Sequence, residues 1–363
     1  MYNLFLILFY VTLLLFIVGL FNPRWVPLFT KGEKTRKKAA LVYGLSTIII
    51  FLTAVFIPMP GQTTKSEPDA VPSFAVPSLP EPSVEAALPK CFKEVKASAV
   101  RQTTDQPDDN SDYQIHVMYV LPSDRTDRDL DTNGTIATSV SAWENWLCNQ
   151  TKGKTLRLDT YKGALDITFV WLPGGENALA RGLDLPSTFY TGSVPKNEFI
   201  ADAIGLKLKA LGFNKPNKLY VVYYDGLSTY ACGQGSGRNH AAFIYMHGHS
   251  PYNIPCKRYR FATDYTQPKS FDAVLMHEII HTLGFLPSCS PHKTKDYGKD
   301  FQHATDDPSD LMSTDYTTWW EDPTKAVLDY NHDDYYDANI PGCPDLKNSA
   351  FLTGEGSELP PKW

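Results

Sequence analysis

The sequence predicts an α/β (α+β) domain with a mixed, partly parallel sheet, set behind a two-helix transmembrane hairpin. Three observations carry this. Apolar runs of strand length alternate with amphipathic runs of helix length from about residue 113 onward. Two charge-free stretches of helix-spanning length open the chain. A proline-rich segment separates the two regions.

Residues 1–21 and 39–58 contain no charged side chain, and each has the roughly 20 residues that a helix needs to cross a hydrocarbon core. A cleaved signal peptide would start with basic residues and carry a shorter apolar run. Between the two stretches lie Arg24, Lys31, Lys34, Arg36, Lys37 and Lys38 against one acid, Glu33. Basic loops stay on the cytoplasmic side. The expected location is therefore the cell membrane, with two spans over 1–58 in contact with the lipid bilayer and everything after residue 60 outside. Residues 59–112 read as an extracytoplasmic linker, because Pro60, Pro68, Pro72, Pro77, Pro80, Pro82 and Pro89 cannot build a core. Order is expected to begin between Cys91 and Tyr113, with the main domain at 113–363.

All six cysteines follow the apolar N-terminus, and none forms a Cys-x-x-Cys pair. Outside the cell that pattern points to disulfides rather than to a cysteine metal site. Pairing in sequence order is expected, best supported for Cys232 with Cys256, which flank one hairpin-like region. The net charge of −6 and the scattered basic residues exclude a nucleic-acid surface.

Within the domain, Ile115–Leu121 reads as a buried strand closed by Pro122. Ile136–Leu147 reads as a helix with Val140, Trp143 and Leu147 on one face. Leu165–Leu172 is a second strand, ended by Pro173. Asn197–Leu211 is a helix ended by Gly212. Lys218–Tyr224 and Ala241–Met246 are the third and fourth strands.

A last helix runs from Phe271 to Leu283, with Ser270 or Asp272 as its cap and Gly284 as its stop. His277 and His281 stand four residues apart, so they share a helix face and can bind one Zn²⁺. Glu278 sits beside them, placed to take a proton from an activated water. This is a His-Glu-x-x-His arrangement, a hypothesis that context must support.

Context adds Gly284, three residues after His281, and the segment His303-Ala-Thr-Asp-Asp-Pro-Ser-Asp-Leu-Met312. Here the chain resembles the metzincin zinc peptidases, whose pattern is His-Glu-x-x-His-x-x-Gly-x-x-His followed by a methionine turn. The likeness is loose over 113–316 and specific only over 277–312. It departs at the third histidine, whose place is taken by Pro287. His303 is the favoured third metal ligand, His292 is the rival, and Asp306 is a further alternative. With His303, residues 286–302 become an insertion that Cys289 could pin. The resemblance implies a metzincin-like sheet with an active-site helix, zinc as cofactor, and peptide-bond hydrolysis with Glu278 as base. It makes Met312 a hydrophobic floor, suggests a hydrogen bond from Tyr316 to the oxyanion, and places a protein or peptide substrate along an edge strand, here Ala241–Met246. The competing readings are a zinc hydrolase of a non-peptide amide, such as a cell-wall bond, and a non-catalytic surface binding module.

Other features receive quieter readings. His240, His247 and His249 share a loop region where a second metal is conceivable. Asp306-Asp307 and Asp333-Asp334 suit Ca²⁺ but read more simply as a solvated acidic face. Cys91 is placed to block a metal but is expected in a disulfide. Trp319 and Trp320 match no motif with a mechanism.

Overall fold

In the first crossover of this domain the chain leaves one strand, forms a helix, and returns parallel on one side; in the next it passes to the other side. The computed structural model describes residues 91–182, 185, 196–250, 253–294, 303–313 and 319–360. The expected membrane hairpin, most of the linker and Tyr316 lie outside them. Among the described residues no helix is long and apolar enough to cross a membrane.

The elements are β1 (Gln114–Pro122), α1 (Thr135–Gln150), β2 (Thr160–Tyr161), β3 (Ala164–Leu165), β4 (Ile167–Leu172), α2 (Glu176–Ala180), α3 (Ile200–Ala210), β5 (Lys218–Ser228), β6 (Gly233–Ser236), β7 (Ala241–Gly248) and α4 (Ser270–Thr282). The main sheet has the order β4-β1-β5-β7-β6. Its first four strands are parallel neighbours, and β6 runs antiparallel to β7. It is thus a mixed sheet in an α/β domain, as expected.

Side chains on successive strand residues point to opposite faces, and both faces are buried. Ile115, Val117, Tyr119 and Leu121 join Val221, Tyr223 and Ile244 in one core with Trp143 of α1 and Val274 of α4. Met118, Val120, Val222 and Phe243 join the opposite core with Ile200, Ile204 and Leu208 of α3. Crossovers between parallel strands share one hand. From β1 the chain moves outward to β4 through α1, then back past β1 to β5 through α3, so the two helices must fall on opposite faces.

Residues 91–112, placed in the linker from sequence, are fastened to this domain. The described order starts at the near end of the expected window. Cys91 is bonded to Cys148, Lys93 N–H donates to Asn145 Oδ1 at 3.0 Å, and Ala97 and Gln102 bridge to Leu165 and Thr168. Arg101 pairs with Asp127, with Asp131 at 2.7 Å and with Asp129 at 3.2 Å. The disulfides Cys91–Cys148, Cys232–Cys256 and Cys289–Cys343 follow sequence order, as expected.

One placement needs correction. Ala241–Met246 is not an edge strand. It lies in β7, between β5 and β6, and its residues are buried. The edge on that side is β6, Gly-Gln-Gly-Ser, whose composition carries no apolar alternation and little strand propensity. The Asn197–Leu211 helix is a 3₁₀ turn, Lys196–Phe199, followed by α3, with Gly212 at a φ of 97° closing it.

Candidate metal centre

The helix α4 is set by a buried carboxylate. Neither Ser270 nor Asp272 is its N-cap; that position falls to Lys269. Asp272, three residues in, is fully buried and accepts the N–H groups of Lys269 at 2.7 Å and Ala262 at 2.8 Å, with the Ser139 hydroxyl as a third donor. Burial nonetheless pushes its carboxyl up to about 7. At the other end Gly284 takes a φ of 92°, a conformation that glycine adopts without steric cost, and turns the chain away.

Two glycines let α4 press on the sheet edge. A Cβ on Gly233 would lie 2.5 Å from Val274 Cγ1, and one on Gly235 would lie 2.6 Å from His281 Cβ and 2.8 Å from the Glu278 carbonyl. Larger residues would lift the helix off β6. The Gly235 N–H in turn hydrogen-bonds the Glu278 carboxylate. Glu278 is buried, and desolvation raises its carboxyl to about 8 against that hydrogen bond.

His277, His281 and His303 come together. His303 Nε2 lies 3.2 Å from His277 Nε2 and 3.3 Å from His281 Nε2. Two nitrogens each about 2.0–2.1 Å from a tetrahedral metal are about 3.3–3.4 Å apart. The rings are therefore spaced as edges of one coordination tetrahedron. The tautomers agree. His277 Nδ1 donates to the Leu311 carbonyl at 2.6 Å, and the His281 ring is held by the Phe285 carbonyl. Their Nε2 atoms are left as lone pairs, which cannot satisfy one another but suit a cation. Desolvation also holds the imidazoles neutral: His277 falls to about 4, His303 to about 3, and His281 well below its ordinary value, with the neighbouring rings adding to its shift. Three neutral imidazoles form a donor set that fits a first-row divalent metal.

The loop after His303 orients these rings. Asp310 is buried, and its carboxylate accepts Met312 N–H at 2.6 Å, Tyr330 N–H at 2.8 Å and the Tyr335 hydroxyl at 3.1 Å. That turn presents the Leu311 carbonyl to His277, while Ala304 N–H donates to the Met312 carbonyl at 2.8 Å and ties the His303 segment to it. Met312 is fully buried in the same core, and the buried Trp319 lies 5.6 Å from His277 between ring centroids. Sequence reasoning missed Asp310, Trp319 and the β6 glycines. The alternating Gly-x-Gly and the Asp directly before Leu-Met were the available signals.

The rival ligands go elsewhere. His292 contacts Asp334 at 3.2 Å and Asp333 at 3.6 Å, and Asp306 joins that second group. His247 pairs with Asp225 at 2.7 Å, His249 bonds the Ser250 carbonyl, and His240 closes a 3₁₀ turn; among the described residues they form no metal-sized group. Cys91 is in its disulfide.

No protein-family model matches this chain. No curated protein matches it either. Among solved structures, a catalytically inactive OgpA from Akkermansia muciniphila in complex with an O-glycopeptide (glycodrosocin) substrate is similar at a TM-score of 0.31 and 14% identity. The match covers 65% of this chain and spans 60% of the length of that one.

Proposed function

We propose that this chain is a membrane-anchored zinc peptidase that hydrolyses peptide bonds outside the cell, with His277, His281 and His303 as metal ligands and Glu278 as general base. The observation that carries the reading is the tetrahedral-edge spacing of His303 Nε2 from His277 Nε2 and His281 Nε2, 3.2 and 3.3 Å, next to a buried carboxylate. His277, His281 and His303 would hold Zn²⁺, which when bound would supply Lewis acidity and lower the pKa of a bound water.

The chain's own residues do the rest. Glu278 accepts a proton from the attacking water and returns it to the leaving amine. Gly235 N–H keeps its carboxylate beside the sheet edge. Tyr245 N–H donates to the Cys232 carbonyl at 2.9 Å, which makes Gly233 and Ile244 a non-hydrogen-bonded pair. The N–H and C=O of Gly233 and the C=O of Gly235 therefore point away from β7, where an extended peptide can add as a further strand. The charge-free stretches 1–21 and 39–58 support the anchor, and the basic loop between them supports the external placement.

The test uses the purified full-length chain in detergent. Bound metal is counted, and cleavage of a peptide library is followed with and without Glu278→Gln. About one zinc per chain, with cleavage lost in the variant, is expected. A zinc-free protein, or cleavage unchanged by the substitution, would sink the reading. A zinc-loaded protein without cleavage would redirect it to a non-peptide amide or a binding module.

A further inference from the structure

The edge strand β6 alternates glycine with residues whose side chains are tied down. In Cys232-Gly233-Gln234-Gly235-Ser236 the two glycines face α4, where a Cβ would strike Val274 or His281. Successive side chains point to opposite faces of a sheet, so Gln234 and Ser236 lie on the other face, the one that carries α3. Each is held there. Asn239 Nδ2 donates to Ser236 Oγ at 2.9 Å and to Asp202 Oδ1 of α3 at 3.1 Å. Directly before the strand, Cys232 is bonded to Cys256.

Gln234 makes the central attachment. Its Oε1 accepts the Tyr245 hydroxyl at 3.1 Å, and its Nε2 donates to the Glu198 carbonyl at 3.0 Å. A backbone carbonyl can only accept, which fixes the amide group this way round. Tyr245 belongs to β7 and is fully buried, with its ring stacked near Phe243 at 6.2 Å. Glu198 belongs to the turn Lys196–Phe199 that leads into α3. One side chain thus joins the edge strand both to its neighbour strand and to the segment in front of the helix on that face.

A Gly-x-Gly strand has particular need of such a tie. Glycine loses more conformational freedom on ordering than any other residue, and β6 is paired along one side, with β7. Its outer side presents the N–H and C=O of Gly233 and the C=O of Gly235, to which an added peptide strand would bond. An edge already ordered when the peptide arrives removes that ordering cost from binding. We propose that Gln234 is a positioning residue for peptide binding: through Tyr245 and Glu198 it holds β6 extended, so that Gly233 and Gly235 meet an incoming strand in a fixed geometry. Its side chain lies on the face opposite α4, so it acts through the backbone of its two neighbours and not on the reacting atoms. The substrate role rests on the peptidase reading; the anchoring of β6 does not.

The test compares the full-length, zinc-loaded chain with Gln234→Ala, Gln234→Glu and Tyr245→Phe. Hydrogen exchange reads the anchoring without substrate: the amides of Phe243 and Tyr245, which bond across to Gln234 and Cys232, should exchange about tenfold faster in Gln234→Ala. Kinetics use the library peptide that the unaltered chain cleaves fastest. KM should rise roughly three- to tenfold in Gln234→Ala while kcat and zinc content hold, because two glycines are left to be ordered on binding. Calorimetry with the same peptide on the Glu278→Gln background should show the same loss in Kd, free of turnover. Gln234→Glu keeps an acceptor for the Tyr245 hydroxyl and loses the donor to Glu198; Tyr245→Phe does the reverse. Each should give a smaller shift, and adding Tyr245→Phe to Gln234→Ala should add little. If Gln234→Ala does not fold, the isosteric Gln234→Glu carries the same readouts. Unchanged exchange, a KM unmoved while cleavage persists, or a fall in kcat at constant KM would overturn this inference alone. Zinc lost in Gln234→Ala would overturn it too, by placing the effect in the seat of α4. Absence of cleavage by the unaltered chain would overturn the substrate role together with the peptidase reading, and exchange would still decide the anchoring.

Discussion

His116 and His277 are almost equally buried, at 0% and 3% exposure, yet they use their rings in opposite ways. His116 has both nitrogens engaged, Nδ1 with Asp159 Oδ2 at 2.6 Å and Nε2 with Thr168 Oγ1 at 3.0 Å. Around it Lys218 answers the carboxylates of Asp105, Asp108 and Asp159. His277 engages only Nδ1, and its Nε2 faces another imidazole lone pair. Burial does not separate an architectural histidine from a candidate ligand. The partner of the second nitrogen does. A buried polar cluster that cancels its own charges holds strands together, while one that leaves electron pairs convergent has a use for a cation.

The largest effect that would sharpen this contrast is on Glu278. Glu278→Gln should lower peptide cleavage by about 10²–10⁴-fold with metal content unchanged, since general-base catalysis is worth that much. At the other centre, Lys218→Met leaves three carboxylates without their common cation. It should cost about 3–5 kcal/mol in denaturant unfolding, as removing one partner of a buried charge cluster does, and leave zinc stoichiometry untouched. A parallel loss of zinc would mean that the two centres are one cooperative unit. Gly235→Ala drives a Cβ against His281 and the Glu278 backbone. About 1–3 kcal/mol of overpacking is expected, with weaker zinc binding seen in a chelator competition. Native zinc affinity in that variant would show that the helix does not depend on the edge for its seat.

The smallest expected effect is in pH. In the metal-free chain the folded His277 and His303 titrate near 4 and 3, below the unfolded value of 6.5. The unfolded chain then binds more protons across that window, so stability falls as pH drops from about 6.5 toward 3. Glu278 runs the other way. Its folded value of about 8 lies above 4.5, so its contribution is lost as pH rises between the two. His303→Ala should flatten the acid limb in melts between pH 7 and pH 5, by about 2–4 °C per kcal/mol recovered. An unchanged acid limb would place the acid sensitivity elsewhere.

Much of this was legible in the chain. The strands β1, β4, β5 and β7 announce themselves as apolar runs closed by Pro or Gly, and α4 carries its two histidines at helical spacing. The edge strand was hidden, because Gly-Gln-Gly-Ser owes its conformation to pairing with β7 rather than to its own propensity. The third histidine stayed open for a related reason. Pro287 removes it from the expected position, and spacing along a loop does not set distance in space.

By itself, then, the sequence determined the local elements and the His277, Glu278 and His281 triad, because each depends on periodicity or neighbours within a few residues. Tertiary structure alone decided that His303 rather than His292 meets that triad and that β6 rather than β7 forms the edge. It also showed that Lys218 is enclosed by Asp105, Asp108 and Asp159. These outcomes rest on contacts between segments far apart in the chain, where packing and hydrogen bonding choose among arrangements that local sequence leaves equivalent.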